Sequence, residues 1–131
     1  MRILVYPHDL GIGGSQLNAI ELAAAVQRLG HEVIVYGRPG PLNRRIGELG
    51  LEFVPSPEPH IRPTPSVVKA LVLLARERKI DVMHGYGVMA VEIANEFGDE
   101  PPTHVFAQSG VGALAAAICA SFWLRWGARR P

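Results

Sequence analysis

The chain has 131 residues, 48% of them hydrophobic and 19% charged, which is enough for one folded domain with a buried core. The formal net charge is +1 and no basic stripe with interleaved aromatics occurs, so nucleic acid is not an expected partner. Cys119 is the single cysteine, which excludes an intrachain disulfide, and no Cys/His pair has the spacing of a metal site.

The first apolar run, Ile3–Tyr6, predicts a β-strand and is too short for a signal peptide, so we expect a cytoplasmic protein. A loop with Gly11, Gly13 and Gly14 follows and opens a helix at Ser15. Glycine lets the backbone approach a ligand closely, and a helix N-terminus offers free N–H donors and partial positive charge. The loop therefore predicts contact with a phosphate. The alternative is a plain glycine turn in which Ser15 caps the helix.

Two common nucleotide motifs do not fit this loop. Gln16 stands where a dinucleotide fingerprint has its third glycine, and no Gly-Lys-Ser/Thr of a P-loop follows. The second strand ends at Gly37 and Arg38 rather than at the acid that holds the ribose of NAD. An NADP-type reductase with Arg38 on the 2′-phosphate remains an alternative, although the chain has no Tyr-x-x-x-Lys.

Strands and helices alternate along the rest of the chain. Short strands between helices predict an α/β fold, a single Rossmann-like doubly wound parallel sheet with strand order 3-2-1-4-5. In such a sheet, ligands bind beyond the carboxyl ends of the strands. The later elements are predicted as helix 16–29, strand 32–36, helix 42–49, strand 51–54, helix 66–78, strand 80–84, helix 89–97 and strand 103–107.

Three segments carry a resemblance to a known family: Gly11–Ser15, Leu29–Val35 with its Gly-His-Glu-Val, and Ile80–Gly85 with its Asp-Val-Met-His. In order and spacing they resemble the N-terminal, acceptor-side domain of the GT-B-type retaining glycosyltransferases, the group 1 or family 4-like enzymes. The resemblance implies half of a GT-B fold over residues 1–109. It implies sugar transfer from a nucleotide sugar, which is the donor substrate rather than a cofactor, to a small-molecule or lipid acceptor.

The resemblance also implies roles for several residues. Gly13 and Gly14, with Ser15 beside them, match the loop that approaches the donor phosphates. His84 matches a histidine on the cleft side of the fourth strand, and its alternative is a histidine that only caps that strand.

His8 and Asp9 lie in the same first loop and are candidates for hydrogen bonds to an acceptor hydroxyl, the alternative being solvated loop residues.

Two departures from the family pattern limit what the resemblance implies. The segment after the fifth strand lacks the family's histidine, because His104 comes too early, so no residue is identified as catalytic. Nothing resembles the second, donor-binding domain. We therefore expect a truncated chain that is inactive alone and needs a donor-domain partner chain. The alternative is a non-catalytic Rossmann-like domain that binds a nucleotide or a partner protein.

Residues 110–131 form a separate apolar and basic tail of uncertain origin, where the family resemblance has lapsed. No charge occurs from Val105 to Leu124, and three arginines follow. A helix packed on the sheet, a membrane-surface anchor and a membrane span remain open. A packed face is predicted from apolar residues at spacings of three to four, namely Leu114, Ile118, Phe122 and Trp123.

Overall fold

The computed structural model describes residues 1–58, 65–86 and 113–127. The predicted helix over 89–97 and the predicted strand over 103–107 lie outside these ranges. The elements are β1 (Arg2–Asp9), α1 (Gly14–Arg28), β2 (Glu32–Arg38), α2 (Asn43–Glu48), β3 (Glu52–Pro55), α3 (Pro65–Glu77), β4 (Val82–Gly85) and α4 (Ala113–Trp126).

The four strands form one parallel sheet in the order β3-β2-β1-β4. This is the predicted order of the first four strands, and the doubly wound α/β fold is confirmed. In the register of the sheet, Val5 of β1 pairs with Val35 of β2 on one side and with His84 of β4 on the other. The carboxyl ends of all four strands therefore lie at one edge of the sheet.

Helices cover both faces of this sheet. Val5 and Val35 on one face pack with α1 through small side chains such as Ala19 and Ala23. Leu4 and Tyr36 on the other face pack with α3, where Leu71 is fully buried. Burial on both faces explains why the central strands are nearly continuous apolar runs. Each large apolar side chain removed from water contributes about 1.5–3 kcal/mol to folding.

The tail contains a helix, α4, whose buried side includes Phe122, as predicted, but not Trp123. Phe122 and Trp126 are buried and their rings lie 5.3 Å apart, whereas Trp123 is 56% exposed. The prediction for Trp123 was wrong because one residue turns the helix by about 100°, which carries Trp123 away from Phe122. The side chains of Leu114 and Ile118 lie outside the described residues.

Within the described ranges, no helix is both long enough and apolar enough to cross a membrane.

The two sides of α4 lead to opposite expectations for truncation to alanine. We expect Phe122→Ala to lower the free energy of unfolding by about 3 kcal/mol, since it empties a buried ring site. Trp123→Ala should lower it by less, about 1 kcal/mol or below, because that side chain is 56% exposed. Urea unfolding followed by circular dichroism measures both. Equal losses for the two variants would contradict this assignment of the buried side.

Candidate functional site

The pairing of β1 with β2 extends to Asp9. Pro7, His8 and Asp9 therefore belong to β1 and not to a loop as predicted. The pairing with β2 shifts register between Val5 and His8 and resumes with His8 opposite Gly37 and Asp9 opposite Arg38. His8 has a φ of 75°, in the left-handed region that non-glycine residues rarely adopt. A Cβ at Gly37 would lie 3.2 Å from the His8 carbonyl oxygen, so glycine leaves room for this irregularity.

Asp9 is the centre of a hydrogen-bonded group at the end of β1. Its Oδ1 accepts the Gly11 N–H at 2.9 Å and the Gln16 side-chain amide at 3.4 Å. Its Oδ2 lies 3.2 Å from His8 Nδ1 and 3.9 Å from the Arg38 guanidinium. The His8 and Asp9 side chains are 13% and 23% exposed. Neither is a solvated loop residue, and Asp9 ties the glycine loop to the end of the sheet.

These contacts shift the pKa of Asp9. Burial alone would raise the pKa of the carboxyl group, but the Gly11 N–H, His8 and Arg38 together outweigh burial and lower it below its ordinary value. Asp9 is therefore ionised at neutral pH and its carboxylate is held by donors.

The lowered pKa has a consequence for stability that can be measured. A carboxyl whose folded pKa lies below its unfolded pKa stabilises the fold above the unfolded value, about pH 4, and this contribution is lost as the pH falls through the folded value. We expect Asp9→Asn to destabilise the protein at neutral pH and the difference from wild type to shrink toward about pH 2. Urea unfolding across this pH range is the measurement. An unchanged difference at all pH values would mean that the charge of Asp9 contributes nothing.

The glycine loop ends at Gly13, and α1 begins at Gly14 rather than at Ser15. Gly13 is the N-cap with extended backbone, φ −158° and ψ 159°. Ser15 therefore lies inside the first turn, and its hydroxyl donates to Gln16 Oε1 at 2.8 Å. The alternative in which Ser15 caps the helix is wrong. Because the N-cap residue has no side chain, the first N–H groups of α1 receive no side-chain cap.

Sequence reasoning did not place Gln16 in the site, and it considered Arg38 only as a contact to the 2′-phosphate of NADP. Gln16 accepts from Ser15 and donates to Asp9, and a Cβ on Gly13 would collide with its carboxamide. Arg38 reaches Asp9 from the neighbouring strand. No local pattern indicates either contact, because Gln16 comes seven residues after Asp9 and Arg38 lies on another strand.

Leu10 fixes the glycine loop to the body of the domain. Its side chain is fully buried, its N–H donates to the Arg38 carbonyl at 3.0 Å, and its carbonyl accepts the Leu42 N–H at 3.0 Å. Gly40 lets this backbone pass, since a Cβ there would overlap the Leu10 carbonyl. In contrast, a Cβ at exposed Gly14 would meet nothing within 4 Å. The buried Leu10 therefore holds the glycine loop in place, while the start of α1 is exposed to solvent at Gly14.

His84 lies in β4 and belongs to a second group. Its ring stacks on Tyr86 with centroids 4.7 Å apart, and the Tyr86 hydroxyl donates to Asn18 of α1 at 3.2 Å. Burial lowers the pKa of His84, so its imidazole is neutral at physiological pH. The two groups contact α1 at Gln16 and Asn18, which are two residues apart in the chain.

A cavity of about 570 Å³ lies at the opposite, amino edge of the sheet. Its charged walls neutralise one another, with Arg2 3.3 Å from Glu32 and Arg78 3.1 Å from Glu52. We place the candidate site at the carboxyl edge, because that is where doubly wound sheets bind ligands. Across residues 1–58, 65–86 and 113–127, no group of three or more His, Cys, Asp or Glu side chains has an arrangement that could hold a metal.

A doubly wound parallel sheet with a glycine loop before its first helix defines a Rossmann-like domain, and the start of that helix is exposed at Gly14. The family model of glycosyltransferase family 4 matches residues 12–106, more than half of the chain. The chain belongs to this family.

Solved structures with a similar fold include the crystal structure of a glycosyltransferase from Rickettsia africae ESF-5, with a TM-score of 0.53 and 18% identity. The match covers 65% of this chain but only 23% of the Rickettsia protein. At this identity it shows a shared fold. Comparison with curated proteins gives no significant match.

Proposed function

We propose that this chain is the acceptor-side half of a glycosyltransferase, which transfers a sugar from a nucleotide sugar to a small-molecule or lipid acceptor once a donor-binding half is joined to it. The observation that carries the proposal is the family match over residues 12–106, which begins inside the glycine loop and includes the open start of α1.

The exposed start of α1 at the carboxyl edge of the sheet suits the charge that develops during sugar transfer. The acceptor hydroxyl oxygen forms a bond to the anomeric carbon while the bond between that carbon and the phosphate oxygen breaks. Negative charge grows on the departing diphosphate, and the hydroxyl proton passes to it or to water. The uncapped N–H groups at the start of α1, with the positive end of the helix dipole behind them, favour that charge. Exposed Gly14 leaves space for a phosphate to approach, and Asp9 holds the loop in one geometry through Gly11 and Gln16.

His8, Asp9 and His84 are the proposed contacts to the acceptor. The neutral imidazole of His84 has a nitrogen that accepts and another that donates, which suits a hydroxyl group. The ionised Asp9 carboxylate accepts only, and its remaining capacity suits a hydroxyl donor. No residue is assigned as a catalytic base.

The test compares the 131-residue chain with the same chain fused to the C-terminal half of a family 4 glycosyltransferase. Release of nucleoside diphosphate is followed with uridine, guanosine and adenosine diphosphate sugars and a mixed acceptor pool. We expect no release by the chain alone above a heat-killed control, because one wall of the site cannot position donor and acceptor together. We expect release by the fusion.

Two results would count against the proposal. Turnover by the chain alone would show that a donor half is not needed. A fusion whose halves both fold, and which binds nucleotide without transfer to any acceptor, would favour the non-catalytic Rossmann-like domain.

A further inference from the structure

Tyr86 directly follows β4 and is fixed in place at three points. Its backbone N–H donates to the Tyr6 carbonyl at 3.2 Å, which continues the pairing with β1 past the end of β4. Its side chain packs against the core cluster between the sheet and α1. Its hydroxyl donates to Asn18 Oδ1 at 3.2 Å. The Tyr86 ring therefore has a defined position relative to both the sheet and α1.

The Tyr86 ring contacts the imidazole of His84 face to face. The two residues are two apart in the chain, and extended backbone puts such residues on the same face of a sheet. Their ring centroids lie 4.7 Å apart and the ring planes are inclined by 19°. This geometry is in the range of favourable aromatic stacking. The stack covers one face of the imidazole and uses neither of its ring nitrogens.

The orientation of the His84 imidazole decides which group it presents to an acceptor hydroxyl. Burial lowers the pKa of His84, so the neutral ring has one nitrogen that donates and one that accepts. Rotation about the bond between Cβ and Cγ redirects both nitrogens, and this torsion is broad in histidine. A neighbour that holds the ring plane therefore determines which hydrogen bonds His84 can make.

Asn18 connects this pair of rings to the helix whose start is the proposed phosphate contact. Gly14 and Asn18 both belong to α1 and are four residues apart, so they lie on the same side of the helix, about one turn from each other. The bond between Tyr86 and Asn18 thus joins the residue beside His84 to the helix end beside the donor phosphate. Transfer requires donor and acceptor to be held in one relative geometry.

We propose that Tyr86 and Asn18 are positioning residues of the transfer site. Tyr86 holds the plane of the His84 imidazole, and Asn18 fixes Tyr86 to α1. Neither side chain contacts the reacting atoms in this role. The effect on sugar transfer rests on the proposed function, whereas the positioning of His84 exists in the chain alone and can be measured there.

Proton NMR of the 131-residue chain tests the positioning without any activity. A stacked tyrosine ring shifts the ring protons of His84 upfield, and their signals are identified by their absence in His84→Gln. Tyr86→Leu keeps an apolar side chain without a ring and should remove the upfield shift. Tyr86→Phe and Asn18→Ala should each reduce it, because the aromatic ring remains but its hydrogen bond is lost.

Tyr36→Phe is the matched control for the loss of a tyrosine hydroxyl. The Tyr36 hydroxyl donates to the Val67 carbonyl at 2.8 Å, on the face of the sheet that packs with α3. This variant should lower the melting temperature because a buried carbonyl loses its donor. It should leave the His84 ring signals and the transfer rate unchanged.

The fusion with a donor-binding half measures the consequence for sugar transfer. Tyr86→Phe and Asn18→Ala should each lower kcat/KM for the acceptor about fivefold, the size expected of one hydrogen bond. The KM for the nucleotide sugar should stay the same. The double variant should lose no more than either single variant, because both substitutions break the same bond. Tyr86→Leu should lose as much as His84→Gln.

Three results would overturn the proposal. The first is an unchanged upfield shift of the His84 protons in Tyr86→Leu. The second is additive losses in the double variant, and the third is an equal loss of transfer in Tyr36→Phe. If the unmodified fusion transfers no sugar, the proposed function fails, while the NMR shifts still decide whether Tyr86 and Asn18 hold His84.

Discussion

Replacing Gly14 by valine in the fused two-half enzyme should reduce sugar transfer about 10²-fold or more while the fold survives. Gly14 is the first residue of α1, and it is not among the described glycines with positive φ. A Cβ there meets nothing of the chain within 4 Å, so valine causes no internal clash. It does fill the space in front of the helix N–H groups, where the proposal puts a phosphate. Initial rates of nucleoside diphosphate release measure the loss, and thermal unfolding checks the fold.

Gly47 provides the matched control for this substitution. It lies within α2, and a Cβ there also meets nothing within 4 Å. Gly47→Val should therefore leave transfer unchanged, and Gly14→Ala should give a smaller loss than valine. If Gly14→Val retains full activity, the loop is only a turn and the phosphate contact at this position is wrong.

Replacing Gly40 by alanine should destabilise the protein by about 2–3 kcal/mol, with a fall in melting temperature of roughly 10 °C. The new Cβ would overlap the Leu10 carbonyl and lie 3.1 Å from the Gly11 nitrogen. These are backbone atoms, so no side chain can move aside. The two loops must separate, which breaks the Leu42 N–H bond to Leu10 and opens the site of the fully buried Leu10 side chain.

The same substitution at Gly47 should be neutral or stabilising by up to about 1 kcal/mol, since alanine favours a helix and has free space there. Differential scanning calorimetry of the two variants gives the comparison directly. Equal melting temperatures for Gly40→Ala and Gly47→Ala would mean that the loops after β1 and β2 separate at no cost. The close approach at Gly40 would then contribute nothing to the site.

The order of elements and the first four strand positions were predictable because the signals are local. Apolar runs alternate with helical spacing, and Gly30 and Gly50 end α1 and α2 with positive φ, as expected of helix-stop glycines. Right-handed crossovers then leave few arrangements for a parallel sheet. The glycine loop could be placed at the carboxyl edge for the same reason, since it directly follows a strand.

The contacts inside the site were not predictable from local signals. β1 was expected to end at Tyr6, and only its pairing with β2 carries it to Asp9 past the irregularity at His8. That pairing brings Arg38 to the Asp9 carboxylate, and the turn of the loop brings Gln16 there. Such contacts join residues far apart in the chain, so they depend on strand register and not on spacing along the sequence.

In the tail, too, the sequence predicted some features and tertiary packing decided others. Composition by itself determined an apolar, basic segment at residues 110–131, in which the structure has the helix Ala113–Trp126. It did not determine which side is buried, because the segment before Arg125 is apolar almost throughout and offers no polar side that would mark the opposite one. Tertiary packing chose Trp126 and left Trp123 facing outward. The sequence indicates that the segment is helical, whereas the side of the helix that is buried depends on what the helix packs against.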